Sequence, residues 1–126
     1  MSDATRYDKG REIFKEVMGF DVPPGRENDP FVRATVENLF GEIWSRGGLS
    51  RRDRRLITIV VLTCLGQADY LKLHLARALD AGELTAAEVE EIMLHVAYYA
   101  GWPLGTAGSM AAREIAEVRA RADRTP

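Results

Sequence analysis

Apolar positions recur along this chain at helical spacing from one end to the other. Between about Thr5 and Met18, Tyr7, Ile13, Phe14, Val17 and Met18 predict a short amphipathic helix, and Gly19 supplies its stop. The following FDVPPGRENDP is rich in Pro, Gly and charge and reads as an exposed connection, able to fold over a neighbour or a pocket mouth. After Pro30, the positions Phe31, Val32, Val36, Leu39, Phe40, Ile43 and Trp44 predict a second helix ending at Gly47-Gly48. A third runs from about Arg51 to Leu65 and is ended by Gly66. A fourth, Ala68 to Asp80, carries Leu71, Leu75, Ala78 and Leu79 on one side, with Gly82 as its cap. Thr85 and Glu88 form a T-x-x-E capping box before Val89, Ile92, Met93 and Val96, which predicts a helix from Ala86 to about Ala100. A sixth follows Pro103; the small residues of LGTAGSMAA let helices approach closely, and the charged REIAEVRARADR is expected to fray. Strand-like alternation is lacking, and the one β-branched run, ITIVV, lies inside a longer helical frame. The pattern predicts a six-helix, all-α bundle.

The stretch from Leu49 to Leu79 organises the rest, because it places an arginine cluster, an apolar helix and His74 in quick succession. Ser50 is a good N-cap and Asp53 stands where a capping box puts its acid. The first turn then carries Arg51, Arg52, Arg54 and Arg55, and cations beside the positive end of a helix dipole cost roughly 0.3–1 kcal/mol each where exposed. An anion is expected to compensate them, from a neighbouring chain or a substrate.

Composition narrows the picture. With 126 residues, 46% hydrophobic and 29% charged, the chain reads as one soluble domain spanning 1–126, with its core at about 30–118. A net charge of -2 supplies no overall attraction to nucleic acid or anionic membrane. The single cysteine, Cys64, excludes an internal disulfide and a multi-Cys metal site, and suits a reducing cytoplasm. The opening MSDATRYDKGREIF lacks the apolar segment of a signal peptide, and the run Leu56 to Leu65 is far shorter than the roughly 18 residues of a membrane span. That run reads as a buried helix, and Cys64 as a small core residue.

Two histidines are candidates for chemistry. His74 shares a helix face with Tyr70, four residues earlier, as a potential acid or base beside a hydroxyl; a structural histidine is the plainer reading of a lone one. His95 forms a stripe with Tyr98, Tyr99 and Trp102, for which core packing is the plainer reading. Glu42 in GEIW is either a solvated acid or a carboxylate turned toward the histidines. A metal site needs Glu42, Asp69, His74 and His95 to converge, without an HExxH or Glu-x-x-His pattern to support it, so none is expected. No glycine-rich phosphate loop follows a strand.

The blocks GEIWSR, GLSRRDRRLITI, LKLHLARAL and EIMLHVAYYAGWP, in this order, resemble the carboxymuconolactone decarboxylase family over roughly Tyr7 to Glu114. The resemblance implies an all-helical, alkylhydroperoxidase D-like orthogonal bundle that assembles as a homotrimer or homohexamer. The hydroperoxidase branch of that superfamily uses a CxxC pair upstream of a histidine, with a glutamate earlier. Counting back from His74, those positions hold Gln67, Tyr70 and Arg55, so dithiol peroxidase chemistry is excluded. The decarboxylase branch fits through Arg51, Arg52 and Arg54, through Glu42 and Trp44, and through His74. Many of its members carry Glu four residues before the histidine, where this chain has Tyr70, and Asp69 points about 100° away from it.

The family reaction removes CO2 from 4-carboxymuconolactone to give 3-oxoadipate enol-lactone without a cofactor. The resemblance implies Arg51 and Arg52 holding substrate carboxylates and His74 donating the proton, oriented by Glu42 or another subunit. It makes Tyr70, His95 and Tyr99 candidate oxyanion donors, and Trp44 and Trp102 walls that exclude water. A cofactor-free enzyme on another carboxylated or oxidised ring, and a non-catalytic oligomer that binds a small acid or a partner protein, are the alternatives.

Overall fold

Helix α1, Asp3–Met18, turns Tyr7 and Val17 inward and ends where Gly19 takes φ +83°. The computed structural model describes residues 3–124, and the described residues form six helices and no strand. Residue contacts divide the chain at Arg51 into two compact units.

In the N-terminal unit, Asp29 caps α2, Pro30–Ala34, its carboxylate accepting from the Phe31 and Val32 amides at 3.0 and 3.3 Å. The same helix then widens into a π-helical stretch, Thr35–Ile43, and the Trp44 amide donates to the Leu39 carbonyl five residues back at 2.9 Å. Helical spacing announced a helix here but not its wider pitch, nor its end at Ile43 short of the glycine pair. Gly10 lies directly against the Val36 carbonyl, where any β-carbon would collide with backbone. Val17, Phe40 and Trp44 form one small core and Tyr7, Val22 and Val36 another, with Phe14 packed against both.

The C-terminal unit holds α3 (Arg51–Cys64, entered at Arg52), α4 (Ala68–Asp80), α5 (Ala86–Ala100) and α6 (Trp102–Arg124). Its core joins Ile59, Leu71, Leu75, Ala78, Leu84, Val89, Met93, Ala111 and Ala112. The capping box of α5 is complete: Thr85 Oγ1 accepts from the Glu88 amide at 3.1 Å, and Glu88 Oε1 from the Thr85 amide at 2.9 Å. Gly101, at φ +111°, separates α5 from α6.

Two expectations are corrected. The charged end of α6 stays helical to Arg124, because its charges pair with α4: Arg119 Nε donates to Asp80 Oδ1 at 2.8 Å and Lys72 Nζ meets Glu114 Oε2 at 2.7 Å. Helix α3 is not buried all round. It buries Arg55, Ile59 and Thr63, whereas Ile57, Val61 and, just past its end, Leu65 are exposed, and so is Cys64.

The small residues of α6 do allow close approach. A β-carbon at Gly105 would lie 2.7 Å from Ala97 Cα, and one at Gly108 would lie 2.8 Å from Thr63 Cγ2. Gly105→Ala therefore forces α5 and α6 apart, and the overpacking cost of roughly 1–3 kcal/mol exceeds the gain of about 1 kcal/mol in helix propensity. Its thermal midpoint is expected to fall, whereas a rise would show that the two helices can separate freely.

Candidate active site

Arg55 is completely buried, at 0% exposure. Taking a guanidinium out of water costs several kcal/mol unless hydrogen bonds and an opposite charge replace the solvent. Both are present: Arg55 Nε donates to Glu83 Oε1 at 2.7 Å, and Arg55 Nη1 lies 2.8 Å from His74 Nδ1. A guanidinium has donors only and does not deprotonate, so His74 Nδ1 is the acceptor. The neutral ring then carries its proton on Nε2.

His74 is buried at 9% exposure, and burial first, then the positive charge of Arg55, pushes its pKa from 6.5 down to about 4. At neutral pH roughly one ring in a thousand is protonated, too few for the imidazolium to serve as a ready acid. In this state the ring is a neutral N–H donor. The shift also links to stability. Between pH 6.5 and about 4 the unfolded chain protonates at this histidine and the folded chain does not. His74's contribution is present above pH 6.5 and is lost progressively as pH falls toward 4. Urea unfolding across that window is expected to lose up to about 3 kcal/mol, less in His74→Gln; equal losses in both proteins would contradict the assignment.

The arginine run finds its anions within the chain. Arg52 Nη2 donates to Glu88 Oε2 at 2.8 Å and its Nε to the Glu83 carbonyl at 3.1 Å. The Thr85 amide and the Arg52 guanidinium hold the Glu88 carboxyl below the usual carboxylate range. Within the N-terminal unit, Arg51 Nη2 meets Glu16 Oε2 at 3.5 Å. Compensation of the helix dipole thus needs neither substrate nor neighbour, and an acid that binds at Arg52 has to compete with Glu88.

His95 stacks on Tyr99, ring centroids 4.9 Å apart, and both line a trough of about 450 Å³ with Leu56, Cys64, Glu91 and Ile92. A neighbouring recess of about 340 Å³ shares Leu56, Glu91 and Ile92 and reaches Arg52 and Glu88. Arg52, His95 and Tyr99 are thereby brought to one side of the α3 and α5 pair. The aromatic stripe is not core: Tyr98, Tyr99 and Trp102 are exposed. It also divides, because Gly101 ends α5, so Trp102 packs edge-on against Tyr98 and lines a different recess with Glu90, Ser109 and Arg113. Tyr70 is exposed, one turn before His74 on α4. Glu42 and Trp44 belong to the N-terminal unit, Glu42 exposed and Trp44 buried, with Trp44 stacked on Phe40 at 6.4 Å. Among the described residues no cluster of three or more His, Cys, Asp or Glu side chains is arranged to hold a metal ion, and no helix is long and apolar enough to cross a membrane.

The sequence reading missed Arg55 and Glu83 as site residues. The signal for Arg55 was present: it stands four residues before Ile59 and eight before Thr63, on the inward stripe of α3. Glu83, in the turn after α4, has no local mark.

This helical scaffold, with a neutral histidine held by a buried arginine, defines a small all-α protein. The profile of the Carboxymuconolactone decarboxylase family matches residues 29–117, and the chain belongs to that family. It is 35% identical over 130 residues to 4-carboxymuconolactone decarboxylase of Acinetobacter baylyi, covering 91% of this chain and 90% of the relative. It is 33% identical over 117 residues to nitrosuccinic acid decarboxylase npaB of Metarhizium robertsii, covering 81% and 80%. Family and relatives together support a carboxy-lyase.

Proposed function

We propose that this protein is a cofactor-independent decarboxylase of small acids. The substrate class is a carboxylate on carbon attached to, or conjugated with, an oxygen-terminated electron acceptor, such as the carbonyl of an unsaturated lactone or a nitro group. 4-Carboxymuconolactone is the first candidate. The observation that carries this reading is the buried, neutral His74 on α4 of a chain that belongs to a decarboxylase family.

When the C–CO2 bond breaks, its electron pair passes to the acceptor and negative charge collects on oxygen. A preformed N–H donor at that oxygen stabilises the transition state more than the ground state, and His74 Nε2–H takes that role. Removing that proton would leave an imidazolate, so His74 holds the oxyanion without transferring its proton. Tyr70 stands where many decarboxylase-like members carry Glu, and its hydroxyl delivers a proton to carbon and regains one from water. Arg52 holds a carboxylate that the substrate retains, displacing Glu88. His95 and Tyr99 supply further donors, and the trough beside them shelters the ring. The exposed apolar residues of α3 and α5 support a homo-oligomer, trimer or hexamer, that covers them.

The test is CO2 release from 4-carboxymuconolactone and, separately, nitrosuccinic acid by the purified protein, with no cofactor added. Turnover of either acid, reduced by Tyr70→Phe, is expected. Binding of acids without any CO2 release would instead identify a non-catalytic binding protein.

A further inference from the structure

We infer that Arg55 is a positioning residue: by donating to His74 Nδ1 while Glu83 neutralises it, Arg55 fixes the histidine in the single tautomer that presents an N–H at Nε2. The inference deepens the reading of His74 as the group that meets the substrate and rests on it, but its test does not.

At 2.8 Å, Arg55 Nη1 and His74 Nδ1 are close enough that one of them must accept, and only the histidine can. A proton on Nδ1 would set donor against donor. It would also bring a second positive charge against the guanidinium if the ring became imidazolium. The other tautomer and the charged form are therefore both disfavoured for as long as Arg55 stays in place. Arg55 is held from its other side by Glu83, 2.7 Å from Nε, and both side chains are removed from solvent, at 0% and 13% exposure. In such surroundings the pair is a fixed dipole with no net charge, so Arg55 itself is not offered to a substrate carboxylate. Arg55 from α3 lies against the ring and, behind it, Glu83 from the turn between α4 and α5. A carboxylate in the place of Arg55 would act in the opposite sense, accepting from Nδ1–H, favouring the imidazolium and leaving Nε2 as a base. The residue at position 55 thus selects whether His74 presents a neutral N–H donor or a base at Nε2.

The experiment is a long-range ¹H–¹⁵N spectrum of the full-length protein labelled at histidine, recorded from acid to neutral pH, with His74 assigned by His74→Gln. In the unaltered protein, Nδ1 is expected to show the shift of an unprotonated nitrogen and Nε2 that of a protonated one, unchanged through neutral pH. The double variant Arg55→Met with Glu83→Leu removes both charges at once and strands neither. There the two nitrogens are expected to move toward averaged shifts and the ring to titrate at higher pH. A protonated Nδ1 in the unaltered protein overturns the inference, as does a folded double variant whose His74 keeps both its tautomer and its titration. These spectra need no substrate, so a failure to decarboxylate leaves them intact. If turnover is present, the double variant is expected to lose kcat with little change in KM, and loss confined to KM would also contradict the role.

Discussion

His74→Ala is expected to lower kcat by about 10²–10³-fold with little change in KM, the loss typical of removing one preorganised oxyanion donor. The ring is buried and held through Nδ1, so its Nε2–H is oriented before any charge develops. Nothing in the empty side chain of alanine replaces it, and water entering the cavity must reorganise during the reaction. His74→Gln, which keeps an N–H donor of shorter reach, should lose less. Steady-state kinetics on whichever acid is turned over decides the matter. A loss under about tenfold for alanine would take His74 out of the transition state.

Arg55→Leu alone is expected to destabilise the protein by about 3–5 kcal/mol, because it leaves the Glu83 carboxylate in a largely dry site without its counter-charge. It also removes the donor from His74 Nδ1, a second buried polar atom. Replacing both partners, as in Arg55→Met with Glu83→Leu, avoids the stranded charge and should cost far less than the single change. Urea or thermal unfolding of the two singles and the double measures the coupling between them. If the single and double variants were equally stable, Arg55 and Glu83 would not act as a pair.

Much of the fold was legible in local patterns. The Thr85 and Glu88 capping box and the Gly19, Gly66 and Gly82 stops each act within a few positions of their own place in the chain. The π-helical stretch was not legible, since an apolar stripe reports which side of a helix is inward more strongly than its pitch. The outward apolar face of α3 was misread as buried because hydrophobicity shows a preference for burial, not whether this chain alone provides it. At the site, His74 and the arginine run stood out by residue type. What the run does was hidden: Glu83 and Glu88 meet Arg55 and Arg52 across 28 and 36 residues, and such pairings leave no local trace. The family resemblance supplied the chemistry that packing alone does not name.

Whether His74 works neutral is tested most directly by the pH dependence of kcat/KM for decarboxylation, taken from about pH 5 to 8 beside His74→Gln. With the His74 pKa near 4, the profile is expected to show no break near 6.5, and the loss in the variant should be similar throughout that range. A limb that titrates near the ordinary histidine value and disappears in His74→Gln would contradict the account and return His74 to the role of a proton-transferring acid or base.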